Sequence, residues 1–210
     1  MSGPLEPGRR ILAESFAIIE RELGPHTLPP WAFAVVRRMI HASGDFEFAT
    51  TLRYSNDFEA AVRTALPGGA VVVTDTEMVL LGVRTILAAR RRPAPCCYLN
   101  DLRTPPLAAE TGLTLSAAAM RLARREQPAP ILAIGNAPTA LDEALRLIEE
   151  EGWRPAAIVG MPVGFVGVAE AKRRLLEQTC VPYLTCVGRK GGSAVTAAAI
   201  NALVEMSAPG

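Results

Sequence analysis

The chain has 210 residues, half of them apolar, with 22 Lys plus Arg against 21 Asp plus Glu. That length suffices for one domain with a substantial core, and the near balance of charge creates no long-range field for nucleic acid or an anionic membrane surface. No apolar run approaches the roughly 20 residues of a membrane-spanning helix, and the first ten residues lack the apolar centre of a secretory leader, so the expectation is a cytoplasmic protein that recognises its ligand through local groups.

Residues 9–23, RRILAESFAIIEREL, place Ile11, Leu12, Phe16, Ile19 and Leu23 close to a 3.6-residue period and stop at Gly24-Pro25, which predicts a helix. A second helix starts after Pro29-Pro30 and runs toward His41, and a third covers Asn56 to Leu66, ended by Pro67-Gly68-Gly69. From Ala70 onward, short continuously apolar runs alternate with helical stretches. The runs are Ala70 to Asp75, Pro95 to Asp101, Pro130 to Asn136, Ala156 to Pro162 and Val181 to Gly188. The helical stretches are Glu77 to Arg90, Leu115 to Arg125, Thr139 to Glu151, Val168 to Gln178 and Ser193 to Ser207. Continuously apolar strands separated by helices describe a parallel sheet covered on both faces and joined by right-handed crossovers. The prediction is a doubly wound α/β domain over residues 1–210, with a mostly parallel sheet of about five strands, helices on both faces and an N-terminal helical segment.

The four cysteines, Cys96, Cys97, Cys180 and Cys186, lie in apolar runs without a C-x-x-C spacing, as reduced structural thiols do. His26 and His41 have no partners at metal-ligand spacing, so no metal centre is expected, and His26, between Pro25 and Thr27, is read as a loop residue. Neither G-x-x-x-x-G-K-[ST] nor a G-x-G-x-x-G between a first strand and helix is present, which removes the usual signatures of ATP and nicotinamide sites. In doubly wound sheets, ligands bind beyond the carboxyl ends of the strands. Those ends here read TDTEM, GNAPTA, GMPVGFVG and GRKGGSAVTAAAIN, all rich in Gly, Pro and small polar residues. In the last of them Gly191, Gly192 and Ser193 open a small-residue helix whose N–H groups suit an anion, with Arg189 and Lys190 beside it. An acidic ligand fits this rim; tight strand-to-helix packing is the structural alternative for any one such turn.

The blocks SFAIIE (Ser15 to Glu20), RMIHASGDFEFA (Arg38 to Ala49), TDTEM, GNAPTAL, VGMPVGFVGVAEAK (Val159 to Lys172) and GRKGGSAVTAAAINAL (Gly188 to Leu203) resemble, in order, those of the precorrin-8X methylmutase family, including its cobalt-precorrin-8 branch. The resemblance implies an isomerase of cobalamin biosynthesis that moves a methyl group from carbon 11 to carbon 12 of precorrin-8X or cobalt-precorrin-8. The product is hydrogenobyrinic or cobyrinic acid, and the enzyme acts as a homodimer on a corrinoid tetrapyrrole without an organic cofactor. The family's catalytic histidine falls on His41, which would protonate or hydrogen-bond a ring nitrogen. A sigmatropic shift calls for no nucleophile or hydride carrier but gains from one acid with a pKa near neutrality, the natural province of histidine.

The resemblance further implies substrate contacts from Ser15, Thr76, Leu115, Ser116, Asn136, Pro138, Thr139, Gly164 and Phe165, together with Arg189, Lys190, Gly191, Gly192 and Ser193. One position departs: where the family reads Thr-Arg-Ser, this chain has Thr114-Leu115-Ser116. Two other readings therefore stand beside the methylmutase, a non-catalytic protein that binds or carries a tetrapyrrole and a related isomerase acting on another acidic ring. An intact His41 favours an enzyme.

Overall fold

Proline and glycine punctuate the helices of the computed structural model, which describes residues 6–207. α1 spans Glu6–Leu23 and α2 spans Pro30–Ser43. Pro30 occupies the first turn of α2, where the missing N–H has no partner to lose. The helix ends at Gly44 in the left-handed conformation, whose N–H bonds the Ile40 carbonyl at 2.7 Å. A short α3 (Phe48–Thr51), β1 (Leu52–Tyr54) and α4 (Phe58–Ala65) follow.

The alternating portion then runs β2 (Val72–Thr74), α5 (Glu77–Ala89), β3 (Cys96–Cys97), α6 (Thr104–Thr111), α7 (Leu115–Glu126), β4 (Ile131–Ile134), α8 (Pro138–Glu151), β5 (Ala157–Gly160), α9 (Val168–Glu177), β6 (Tyr183–Cys186) and α10 (Ser193–Met206). The doubly wound architecture is as expected, but the sheet has six strands rather than about five, in the order β1-β6-β5-β4-β2-β3. The additional strand is β1, which pairs antiparallel with β6 through Leu52 opposite Cys186 and Tyr54 opposite Leu184. It has no apolar run of its own, because Arg53 interrupts it at an exposed edge. Its partner, rather than its own pattern, makes it a strand. α3 and α6 were also not expected. α6 carries Pro105 and Pro106 in its first turn, which reads as a loop although a helix tolerates proline there.

β2, β4 and β5 are buried along their whole length, as central strands of a parallel sheet covered on both faces must be. Their side chains divide between two cores by the period of two. Ile131 and Ala133 of β4 face a layer with Val35 and Val36 of α2, Phe58 of α4, Val79 and Val83 of α5 and Ile200 of α10. Leu132 and Ile134 face the other layer, with Met120 of α7, Leu141 and Leu145 of α8 and Leu175 of α9. Each fully buried Leu or Ile stabilises the fold by about 1.5–3 kcal/mol, so both layers are needed to hold the sheet. No described helix is long and apolar enough to cross a membrane. Because β2 has β3 on one side and β4 on the other, the winding reverses between β2 and β4, and the carboxyl ends of those two strands form the crevice where such folds bind ligands.

Candidate active site

At that crevice a buried carboxylate organises the backbone. Asp75, the residue after β2, is fully buried, and its carboxylate accepts hydrogen bonds from the N–H groups of Gly135 (2.9 Å), Asn136 (2.8 Å) and Ala137 (2.8 Å). Burial pushes its pKa up, while the three N–H donors oppose that shift. Asp75 thereby fixes the turn that carries Asn136, Pro138 and Thr139 onto α8. Sequence reading did not single it out; its signal was a lone acid ending an otherwise apolar strand.

Neighbouring turns are tied to this one. The Thr76 hydroxyl caps α5 by accepting from the Val79 N–H (3.4 Å) and lies 3.3 Å from the Ser193 hydroxyl. Gly135 admits this approach: a Cβ there would lie 2.8 Å from Thr196 Oγ1 and 3.0 Å from Ser193 Cα. The Thr114 hydroxyl donates to Thr139 Oγ1 (2.9 Å) and accepts from the Ala117 N–H (3.2 Å), so the start of α7 is joined to the start of α8. That sets Leu115, 48% exposed, and Ser116 on the same rim. Met78, Leu102, Val163, Phe165 and Val166 are likewise exposed. Large apolar side chains thus crown the strand ends where a flat ligand would lie.

The turn after β6 locks onto the turn after β5. The Gly192 N–H donates to the Met161 carbonyl (2.9 Å), and the Gly164 N–H donates to the Arg189 carbonyl (3.2 Å). Gly191 has φ +154, and a Cβ on it would lie 2.2 Å from the Met161 carbonyl oxygen, so no other residue fits without moving the backbone. A Cβ on Gly192 would meet only Val163 Cγ1 at 3.8 Å, an ordinary contact, so its φ of +122, rather than crowding, is what resists a side chain. The Arg189 guanidinium lies 5.4 Å from the Phe165 ring centroid and makes no ion pair among the described residues.

Lys190 is engaged differently from the ligand-facing cation the sequence suggested. It pairs with Asp45 at 2.7 Å and Glu47 at 2.6 Å, in the loop that follows α2. The pairing holds the Asp45 carboxyl below its ordinary value of 3.8 and raises the Lys190 ammonium. With the folded pKa of Asp45 lowered, the tether is fully present above pH 3.8 and fades only as pH falls through the lowered value. Lys190 is exposed and Asp45 half-buried at the surface, so salt screens the pair. Lys190→Ala is expected to leave the fold intact while speeding amide exchange across residues 44–47; unchanged exchange there would show that the loop does not depend on the tether.

That loop begins just beyond His41, which is exposed in the last turn of α2. Its imidazole meets the Phe16 ring of α1 edge to face, with centroids 5.6 Å apart, and the Arg37 guanidinium lies 4.3 Å from the centroid of the same ring. Ser15, beside Phe16, donates its hydroxyl to the Ile11 carbonyl of its own helix (2.8 Å). The structure therefore gathers Thr76, Leu115, Ser116, Asn136, Pro138, Thr139 and Ser193 with Gly164, Phe165 and residues 189–192, while Ser15 and His41 sit apart on α1 and α2, and the Lys190 tether reaches only Asp45 and Glu47 in the loop after His41. The second histidine, His26, stacks on Phe33 with centroids 4.2 Å apart.

The model of the precorrin-8X methylmutase family matches residues 10–206. A precorrin-8X methylmutase from Sinorhizobium sp is 44% identical over 205 residues, covering 96% of each chain, and a cobalt-precorrin-8 methylmutase from Priestia megaterium is 39% identical over 195 residues, covering 93% of this chain and 86% of that one. The crystal structure of a precorrin-8X methyl mutase from Thermus thermophilus superposes with a TM-score of 0.86 at 38% identity, covering 95% of this chain and 96% of that one. The chain that carries this rim and its helix-end histidine belongs to the precorrin-8X methylmutase family.

Proposed function

We propose that this protein is an isomerase of cobalamin biosynthesis that moves the methyl group from carbon 11 to carbon 12 of precorrin-8X or cobalt-precorrin-8, acting as a cytoplasmic homodimer. The observation that supports the reading is a preorganised rim at the strand ends, to which Lys190 ties Asp45 and Glu47 of the loop that follows the exposed His41. The reaction is intramolecular: the bond from the methyl to carbon 11 breaks as the bond to carbon 12 forms, and nothing leaves the ring. His41 supplies a proton or hydrogen bond to a ring nitrogen, which lets the conjugated electrons redistribute as the methyl migrates. The rim contributes positioning. Arg189 and the first-turn N–H groups of α10 hold carboxylate arms, and Phe165 and Leu115 lie against the ring, so that the migrating carbon meets its acceptor in one orientation.

Incubating the pure protein with precorrin-8X, and separately with its cobalt form, tests the proposal, because the shift alters the conjugated path and hence the absorption spectrum. A spectral change to that of the product is expected with at least one form. A ring that binds without changing would favour the carrier reading.

Leu115 tests the same question from the side of binding. It is half-exposed at the first residue of α7, so Leu115→Arg is expected to fold normally. The new guanidinium would restore a charge-assisted carboxylate contact, strengthening binding by about 1.5–3 kcal/mol, most at low salt. Isothermal titration with the product checks it. Tighter binding with faster turnover marks a methylmutase working below its family's full complement of contacts, whereas unfolding would mean that Leu115 has a packing role.

A further inference from the structure

Lys172 occupies the middle of α9, where Glu170, Arg173 and Glu177 are exposed and Arg174 is half-buried, yet it is itself only 1% exposed. Its ammonium meets no carboxylate among the described residues. The three acceptors around it are the Lys190 carbonyl (2.6 Å), the Gly188 carbonyl (3.1 Å) and Cys186 Sγ (3.5 Å). Cys186 itself donates to the Lys190 carbonyl at 3.1 Å. A cation enclosed without a counter-ion is costly to keep, and burial pulls its pKa down. What it organises in return is the turn after β6.

In a trans peptide, the C=O of one residue and the N–H of the next point in opposite directions. Drawing the carbonyls of Gly188 and Lys190 inward onto the Lys172 ammonium therefore turns the N–H groups of Arg189 and Gly191 away from it. Neither of these N–H groups donates to an acceptor among the described residues. The remaining bonds of the turn, Gly192 to Met161 and Gly164 to Arg189, hold it against the neighbouring loop and leave those two donors available.

We propose that Lys172 is a positioning residue that shapes residues 188–192 into a receptor for a carboxylate arm of the ligand, presenting the Arg189 and Gly191 N–H groups beside the first turn of α10. The identity of the ligand rests on the methylmutase reading; the geometry of the receptor does not. A buried cation behind the turn also sets its preference, since it favours an ionised arm over the neutral amide of the same shape. The receptor thus selects a macrocycle whose arm at this point is a free acid.

The test uses the full chain labelled with nitrogen-15 and three titrants: hydrogenobyrinic acid, its fully amidated derivative, and propionate, which is the arm alone. In the unsubstituted protein the amide protons of Arg189 and Gly191 are expected to move downfield with hydrogenobyrinic acid and with concentrated propionate, and less with the amidated ring. Lys172→Met is expected to lose these shifts while its core resonances remain, and to bind the acid ring on the order of 10- to 100-fold more weakly. The loss is expected in KM rather than kcat, the mark of a contact made equally in ground and transition states. Amides in the unsubstituted protein that respond to neither anion, or a folded Lys172→Met variant that binds the acid ring normally, would overturn the proposal. If the variant fails to fold, the titration of the unsubstituted protein still decides. A response to propionate in a protein that leaves both precorrin-8X and its cobalt form unchanged would support the receptor and remove the methylmutase reading.

Discussion

His41→Ala is expected to lower kcat for the methyl shift by about 10²–10⁴-fold, the range typical of a lost general acid, while the product still binds with nearly unchanged affinity. The side chain is exposed and touches the Phe16 ring, so its removal leaves both cores and the rim intact. The carboxylate contacts proposed for binding lie on other elements, the turn after β6 and the start of α10. Single-turnover absorption traces beside equilibrium binding of hydrogenobyrinic acid separate the two effects. Turnover near that of the unsubstituted protein would end the assignment of His41, and an equal loss in binding and turnover would make it a binding group instead.

Asp75→Ala is expected to be the most destabilising substitution at the rim. It leaves three N–H groups without their acceptor, two of them on the buried residues Gly135 and Ala137. Each buried donor left unpaired costs about 1–3 kcal/mol, giving about 2–6 kcal/mol in all against a total stability of about 5–15 kcal/mol. Asp75→Asn keeps the shape and one acceptor oxygen but points an amide N–H₂ at N–H groups, so its loss should be smaller and still clear. Urea unfolding followed by far-ultraviolet dichroism measures both. An unchanged midpoint for Asp75→Ala would mean that the turn after β4 is held by its packing alone. If the variant survives at low temperature, its weakened turn should also loosen Asn136, Pro138 and Thr139, so ring affinity is expected to fall with stability.

The central strands were legible because burial on both faces forces a continuous apolar run, as in Ile131–Ile134 and Ala157–Gly160. β1 was not, because a three-residue edge strand with an exposed Arg53 owes its form to β6, far away in the sequence. The same distinction runs through the rim. Gly191 and Gly192 announce a turn by their composition, and Thr114 announces a cap by its place before α7. The partners of Asp75, Lys172 and Lys190 are chosen by tertiary contact: a buried acid holding a distant turn, a buried amine holding carbonyls, and an exposed amine holding two acids across 143 residues from Glu47. No local pattern distinguishes these from ordinary charged positions. The edge contact of Phe16 with His41 is hidden for the same reason, since α1 and α2 meet only after both have folded.

The pairing of Leu52 with Cys186 has a consequence for synthesis of the chain. α2 and β1 emerge from the ribosome early, whereas β6 and α10, against which they pack, emerge last. At ordinary elongation rates the early segment waits on the order of ten seconds for its partners. During that interval Val35, Val36, Met39 and Ile40, all buried in the finished protein, lack the part of their cover that β6 and α10 supply, although Trp31 can already pack on Tyr54 and Phe58. Such a segment is a natural client for a nascent-chain chaperone, and its docking is a late, non-local event of the kind that slows folding. The segment that carries His41 is thus made early but completes its packing only when β6 and α10 have followed.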